Sequence, residues 1–151
     1  LSPHEHISPN SKKKFFYFYI NYNYFIAINY SSNMSLNPAY EAIGKGFVQQ
    51  YYVLFDDPSQ RPTLAAMYNP ETSFMTFEGV QLQGTVKIME KLNSLSFQKI
   101  NRVVTSVDSQ PMFDGGILIN VLGRLQCDED PPHPFNQVFV LKSVGICRLN
   151  H

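Results

Sequence analysis

Residues 72–83 read Thr-Ser-Phe-Met-Thr-Phe-Glu-Gly-Val-Gln-Leu-Gln, and the period of this stretch decides how the chain folds. From Thr72 to Phe77 the pattern is close to apolar–polar alternation, the repeat of a strand with one covered face. Glu78-Gly79 is a two-residue turn, and Val80 to Gln83 returns as the partner of a hairpin. Upstream the period is helical. Asn37-Pro38 is a helix-start signal, because Asn accepts from free amides and Pro is tolerated in the first turn. Tyr40, Ile43, Phe47, Tyr51 and Leu54 then fall on one helical face, and Asp56-Asp57-Pro58 ends the run. A shorter helix is predicted over Arg61 to Tyr68, with Leu64, Met67 and Tyr68 facing in.

Downstream, Gly84-Thr85 opens a third helix with Thr85 as N-cap and Ile88, Leu92 and Leu95 as its apolar stripe. The remainder reads as strand: Phe97 to Val107, then Ile117 to Cys127 after the Asp114-Gly115-Gly116 turn, then Phe135 to Lys142 after Asp128-Glu129-Asp130-Pro131-Pro132. The order helix, helix, hairpin, helix, long strands predicts an α+β fold, a bent antiparallel sheet wrapped on three helices. Such a sheet encloses a cone whose mouth is a natural pocket.

Composition narrows the function. The 151 residues carry 12 basic and 12 acidic side chains, which argues against a general nucleic-acid binder. Apolar residues make up 44% and charged ones 16%, as expected of a packed chain, and no apolar run reaches the roughly 18–20 residues of a membrane-spanning helix. Cys127 and Cys147, without a CxxC, read as reduced thiols of a cytosolic or nuclear protein. His4, His6, His133 and His151 form no metal-spaced cluster, and no Ser/His/Asp set or Gly-rich phosphate loop is present, so no cofactor or metal is expected.

Residues 1–33 differ in composition from the rest. Lys12 to Asn33 is almost wholly Lys, Phe, Tyr, Ile, Asn and Ser, the residues that A/T-rich codons encode, and the first Met is Met34. We read residues 1–33 as an extension outside the fold, spurious or disordered, and residues 34–151 as the domain. The rival is a targeting signal with Lys12 to Lys14 as its charged region; Asn21, Asn23 and Asn29 interrupt its apolar core. The same segment has high strand propensity and little charge, an aggregation hazard if exposed. Without it, nine basic residues face eleven acidic ones, a balance that suits a basic protein partner.

Five segments carry a family resemblance: NPAYEAIGKGFVQQYYVLFDD (37–57), SFMTFEG (73–79), LSFQKI (95–100), VDSQP (107–111) and GRLQCDEDPPHPFNQVFVLK (123–142). Together they resemble the nuclear transport factor 2 family, its insect-type members in particular. The resemblance implies a cone-like homodimer, formed through the sheet, that carries Ran in its GDP form through nuclear pores by weak contacts with FxFG-repeat nucleoporins. It catalyses nothing and works in cytoplasm and nucleus, concentrated at the pore. By the same resemblance Glu78, Asp128 and Asp130 face basic residues of Ran. Phe77, Leu95, Phe97 and Ile100 line the cavity that takes an aromatic side chain of Ran, and Tyr40 and Asp56 belong to the nucleoporin surface. An apolar pocket ringed by carboxylates suits such a partner: an aromatic anchor flanked by Lys and Arg. Two other readings stand beside it: a cone-fold enzyme of the isomerase or dehydratase type, with acid–base groups in the cavity, and an interaction module in RNA export.

The end departs from the family pattern. Arg148-Leu149-Asn150-His151 resembles the family terminus, but only five residues separate it from Lys142, too few for most of the family's last strand. A truncated last strand would leave the backbone of Phe135 to Lys142 without a partner, with lower stability and impaired dimerisation.

Overall fold

The computed structural model describes residues 14–22 and 36–143, with side chains from Leu36 to Lys142. His4, His6, Met34, Cys147 and the Arg148–His151 terminus lie outside the described residues. Six strands and three helices follow in the order β1 (Lys14–Tyr22), α1 (Tyr40–Asp56), a 3-10 helix (Arg61–Met67), β2 (Phe74–Phe77), β3 (Val80–Gln83), α2 (Thr85–Asn93), β4 (Ile100–Pro111), β5 (Ile117–Cys127) and β6 (His133–Ser143).

Helix α1 begins at Tyr40, later than Asn37-Pro38 predicts, because Asn37 is used in a turn. Its Oδ1 accepts from the Ala39 amide at 2.9 Å, and its carbonyl accepts from the Tyr40 amide at 3.2 Å. The helix buries Gly44, Phe47, Val48, Tyr51, Tyr52 and Phe55 against the concave face of the sheet. The rings of Phe47 and Tyr51 meet Phe139 edge-on, at centroid distances of 5.1 and 4.9 Å. Gly44 permits that approach: a Cβ there would run into the Ser109 hydroxyl on β4. Thr85 is no cap, since its Oγ1 donates instead to the Tyr68 carbonyl at 3.0 Å, tying α2 to the 3-10 helix.

The sheet runs β3-β2-β1-β6-β5-β4. Every neighbouring pair is antiparallel except β1 and β6, which are parallel. A register shift between Val104 and Ser106 leaves Thr105 as an extra residue on β4, a bulge of the kind that bends a sheet. Along β5 the sides alternate cleanly: Ile117, Ile119 and Val121 are buried while Leu118 and Leu122 are each 39% exposed.

Strand β1 corrects the sequence reading. Residues 14–22 were expected outside the fold, and they form an interior strand of the sheet instead. The backbone of Phe135 to Lys142, expected to lie open, is paired with β1 in nine-residue register, from Lys14 opposite Phe135 to Tyr22 opposite Ser143. An extended segment of high strand propensity beside an open ladder satisfies the backbone groups of both. Residues 1–13 and 23–33, the rest of that expectation, lie outside the described residues.

Candidate functional site

The mouth of the cone is a cavity of about 170 Å³ between α1, the β2–β3 hairpin, α2 and the inner faces of β4 to β6. Phe77 ends β2. Glu78 and Gly79 follow in the two-residue turn with φ of 48° and 86°, the left-handed pair that this hairpin type demands. Gly79 takes that conformation freely, whereas Glu78 is strained by roughly 1 kcal/mol. Leu95 and Phe97 come from the segment after α2, and Ile100 opens β4. All five of these sequence-predicted residues, Phe77, Glu78, Leu95, Phe97 and Ile100, line the cavity. Glu78 is exposed, and among the described residues it has no ion pair.

Asp128 and Asp130 lie in the turn after β5, next to the lining residue Cys127, and do not line the cavity themselves. Asp128 also has a left-handed backbone, φ 50°. Its Oδ1 accepts from the amides of Gln98 and Lys99 at 3.0 and 2.9 Å, and its own amide donates to the Lys99 carbonyl at 2.8 Å. The carboxylate thus braces the segment that carries Leu95, Phe97 and Ile100. The Asp130 amide donates to the Cys127 carbonyl at 3.0 Å, and the side chain is exposed. Glu78 and Asp128 are the two non-glycine residues of positive φ among the described residues.

The wall differs from the expected ring of carboxylates. Among its lining residues Glu78 is the single acid, and Lys91 and Arg102 are cations. Lys91 Nζ stands 4.7 Å from the centroid of the Phe77 ring. Arg102, on β4, lies over Tyr52 at 3.9 Å and Phe135 at 4.9 Å, and Asp56 holds it in a two-pronged pair: Nη2 to Oδ1 at 2.7 Å and Nε to Oδ2 at 2.9 Å. Behind the wall Arg61, 4% exposed, sits between Phe55 and Phe97 at 5.2 and 5.1 Å. Its Nε donates to the Phe55 carbonyl at 2.8 Å, capping the last turn of α1, and its Nη1 reaches the Leu95 carbonyl at 3.4 Å. Burial pushes the Arg61 guanidinium below its ordinary pKa, opposed first by the charge of Asp56. Tyr52 donates to Gln137 Oε1 at 2.7 Å, and burial raises its phenol well above the usual tyrosine value, with Arg102 opposing. Sequence reasoning missed Lys91, Arg102 and Arg61; no local spacing joins Asp56 to a residue 46 positions away.

Tyr40 and Asp56 are not brought together. They are the first and last residues of α1, about 24 Å apart along its axis at 1.5 Å per residue. Tyr40 is half-buried against the core. Asp56 borders a shallow groove of about 410 Å³ between α1 and β4, walled by Val48, Val53, Val104 and Val107, with Arg102 as the partition between groove and cavity. On the outer face of the sheet Val103, Leu118 and Leu122 are exposed beside half-buried Val138 and Val140, an apolar patch. No helix among the described residues is long and apolar enough to cross a membrane.

Residues 43–146 match the nuclear transport factor 2 (NTF2) domain family. A probable nuclear transport factor 2 of Caenorhabditis elegans is 49% identical over 112 residues, covering 72% of this chain and 84% of that protein. Nuclear transport factor 2 of Neurospora crassa is 43% identical over 109 residues, with coverage of 72% and 84%. The solved structure of nuclear transport factor 2 from Cryptosporidium parvum superposes with a TM-score of 0.60 at 31% identity, covering 70% of this chain and 98% of that one.

Proposed function

Because this chain belongs to the nuclear transport factor 2 family of nuclear import factors, we propose that its cavity takes an aromatic side chain of Ran-GDP, with Glu78 pairing to a cation beside that side chain. One observation carries the reading: Phe77, Leu95, Phe97 and Ile100 converge on a single hollow, and at its lip stands Glu78, strained in its backbone and without an ion pair among the described residues. A non-glycine residue kept at positive φ marks a position where the side chain matters more than local comfort. A buried ring supplies most of the affinity, and a rim carboxylate orients the approach. Asp128 serves the same partner mainly by bracing the Leu95–Ile100 wall, with its second oxygen and Asp130 adding negative potential.

The outer patch of Val103, Leu118, Leu122, Val138 and Val140 supports a homodimer through the sheet. Tyr40 and the groove beside Asp56 are two separate contacts for the Phe rings of FxFG nucleoporins, and weak contacts doubled in a dimer gain avidity while exchanging quickly. The chain shuttles between cytoplasm and nucleus and concentrates at the pore; it binds no nucleic acid and enters no membrane. We read it as a carrier: in the cavity wall Arg102 is engaged by Asp56, and Tyr52 behind it donates to Gln137, so these two polar groups serve the fold. No feature favours an RNA-export module over this reading.

The test is capture of Ran loaded with GDP or GTP by the full chain and by Glu78→Lys. A partly desolvated charged pair is worth about 1–3 kcal/mol, so the substitution weakens Ran-GDP binding about ten-fold or more. Equal capture of the two nucleotide states, or no effect of Glu78→Lys, refutes the proposal.

A further inference from the structure

The residues that match the family do not by themselves make a continuous sheet. β2 pairs with β3, and β4, β5 and β6 pair in series, but no ladder joins β2 to β6. The strand between them is β1, which lies wholly outside residues 43–146. It is parallel to β6 over nine residue pairs and antiparallel to β2 over four, from Phe16 opposite Phe77 to Tyr19 opposite Phe74. The same division runs through the cavity. Phe77 and Glu78 stand on β2 and its turn, whereas Ile100, Arg102, Leu125, Cys127 and Gln137 stand on β4, β5 and β6.

Three further contacts attach the hairpin to other parts of the fold. Lys91 over Phe77 joins it to α2. The Gly84 amide to the Ser73 carbonyl at 2.8 Å, and Gln83 Nε2 to the Glu71 carbonyl at 3.0 Å, join it to its own flanks. None of these three reaches β6; Met75 and Phe77 pack in the core shared with Phe135 and Phe139, and the backbone ladder across the gap is the one β1 makes.

We infer that residues 14–22 act as a clasp strand: their backbone holds the Glu78 hairpin against the β4–β6 wall, and capture of the cavity's partner depends on this segment outside the family-matched region. The inference rests on the reading of the cavity as the partner site, and its experiment separates the two.

In the full chain, Tyr17→Pro with Phe18→Pro removes two consecutive amides. Consecutive residues of a strand turn their N–H groups to opposite neighbours, so one donor is withdrawn from each flanking strand. The expected result is that hydrogen-exchange protection at residues 74–77 and 135–143 falls at least ten-fold, that protection between β4 and β5 persists, and that Ran-GDP capture falls at least ten-fold. A second variant reads the juxtaposition even if the prolines unfold the chain. Tyr17→Cys with Thr76→Cys, Cα partners across β1 and β2, forms a disulfide on oxidation. Unchanged protection in the proline variant, or a folded cysteine variant that does not cross-link, overturns the clasp. If both readouts behave as expected while the unmodified chain captures no Ran, the clasp stands and the carrier reading falls. If the proline variant captures Ran-GDP as well as the unmodified chain does, the clasp falls and the carrier reading stands.

Discussion

Asp56 is the residue whose structural role is most open to measurement. Arg102 has 6% of its side chain exposed and Asp56 has 22%, so the pair sits at the edge of the interior, between the cavity and the α1–β4 groove. Asp56→Ala leaves a guanidinium over Tyr52, Phe135 and Phe55 with no carboxylate against it. Breaking a fully buried pair from one side costs about 3–5 kcal/mol. Here the groove admits water and the three rings retain part of the attraction, so about 3 kcal/mol is expected. For a domain of this size that lowers Tm by roughly 10 °C. Asp56→Asn keeps an acceptor for Arg102 and loses only the charge, so about half that loss is expected. Removing both partners, Asp56→Ala with Arg102→Met, leaves no buried cation and costs less than the sum of the two single changes by at least about 1.5 kcal/mol. Urea unfolding is the assay, since guanidinium chloride screens the pair under test. The chain has no Trp, so far-UV circular dichroism or tyrosine emission serves as the signal, at one fixed protein concentration in case a dimer contributes. A loss below about 1 kcal/mol for Asp56→Ala, or strict additivity in the double variant, refutes the reasoning and returns Asp56 to a purely surface role.

Glu78→Asn relieves a backbone that Asn tolerates better, so it raises stability by about 0.5–1 kcal/mol in urea unfolding while it weakens Ran-GDP capture; a destabilised variant would contradict the strain argument. Asp128→Asn keeps a side-chain oxygen for the Gln98 and Lys99 amides and suits φ 50°, so it loses little stability, whereas Asp128→Ala frees the wall segment and loses about 1–2 kcal/mol; equal melting of the two variants would deny the brace. Leu122→Glu puts a charge in the outer patch and shifts sedimentation toward monomer, with the cavity unaffected. The Asp57 carboxyl is held below its ordinary value, first by the Ser59 hydroxyl, then by the Ser59 amide and the Gln60 side chain. Its contribution is therefore present above about pH 4 and disappears as pH falls through the lower folded value, so Asp57→Ala flattens the acid limb of the stability profile; an unchanged limb would refute this.

What the sequence discloses depends on whether a residue's partners are near it in the chain. The bounds of β5 are read as observed, Ile117 to Cys127, because a run rich in β-branched and apolar residues there is fenced by Gly115-Gly116 and Asp128. Helix α1 is read as a helix, and its predicted stripe is one side of the covered face: Phe47 and Tyr51 are buried and Tyr40, Ile43 and Leu54 pack half-buried against the core, while Val48, Tyr52 and Phe55 extend that face beyond the reading. The stripe and the observed set are both helical, and the sheet sets how far the covered face extends. Tyr52 and Phe55 face in because Arg102 and Gln137 await them there. Phe77, Leu95, Phe97 and Ile100 follow from the family resemblance, whereas the lining residues Phe55 and Leu125 and the cations do not: Arg102 is a strand residue like any other until Asp56 meets it.

Strand β1 is the sharpest case, because its local signal and its location point in opposite directions. The run Lys14 to Tyr22 has the aromatic and β-branched content of a strand, and for that reason it reads as a hazard when taken as a loose extension. Propensity specifies that a segment pairs, not with whom. The two open ladders that receive it belong to β2 and β6, more than 50 and 110 residues downstream, so no window along the chain contains both donor and acceptor. The same arrangement resolves the cavity's mixed charge. Arg102 is matched by Asp56, which leaves Lys91 as the wall cation without an ion pair among the described residues and Glu78 as the acid at the lip. On the proposed reading a cation arriving beside an aromatic ring is therefore drawn to the rim. That proposed division, ring inside and charge outside, requires the lip to be held over the wall, and β1 is the strand that bonds to both sides.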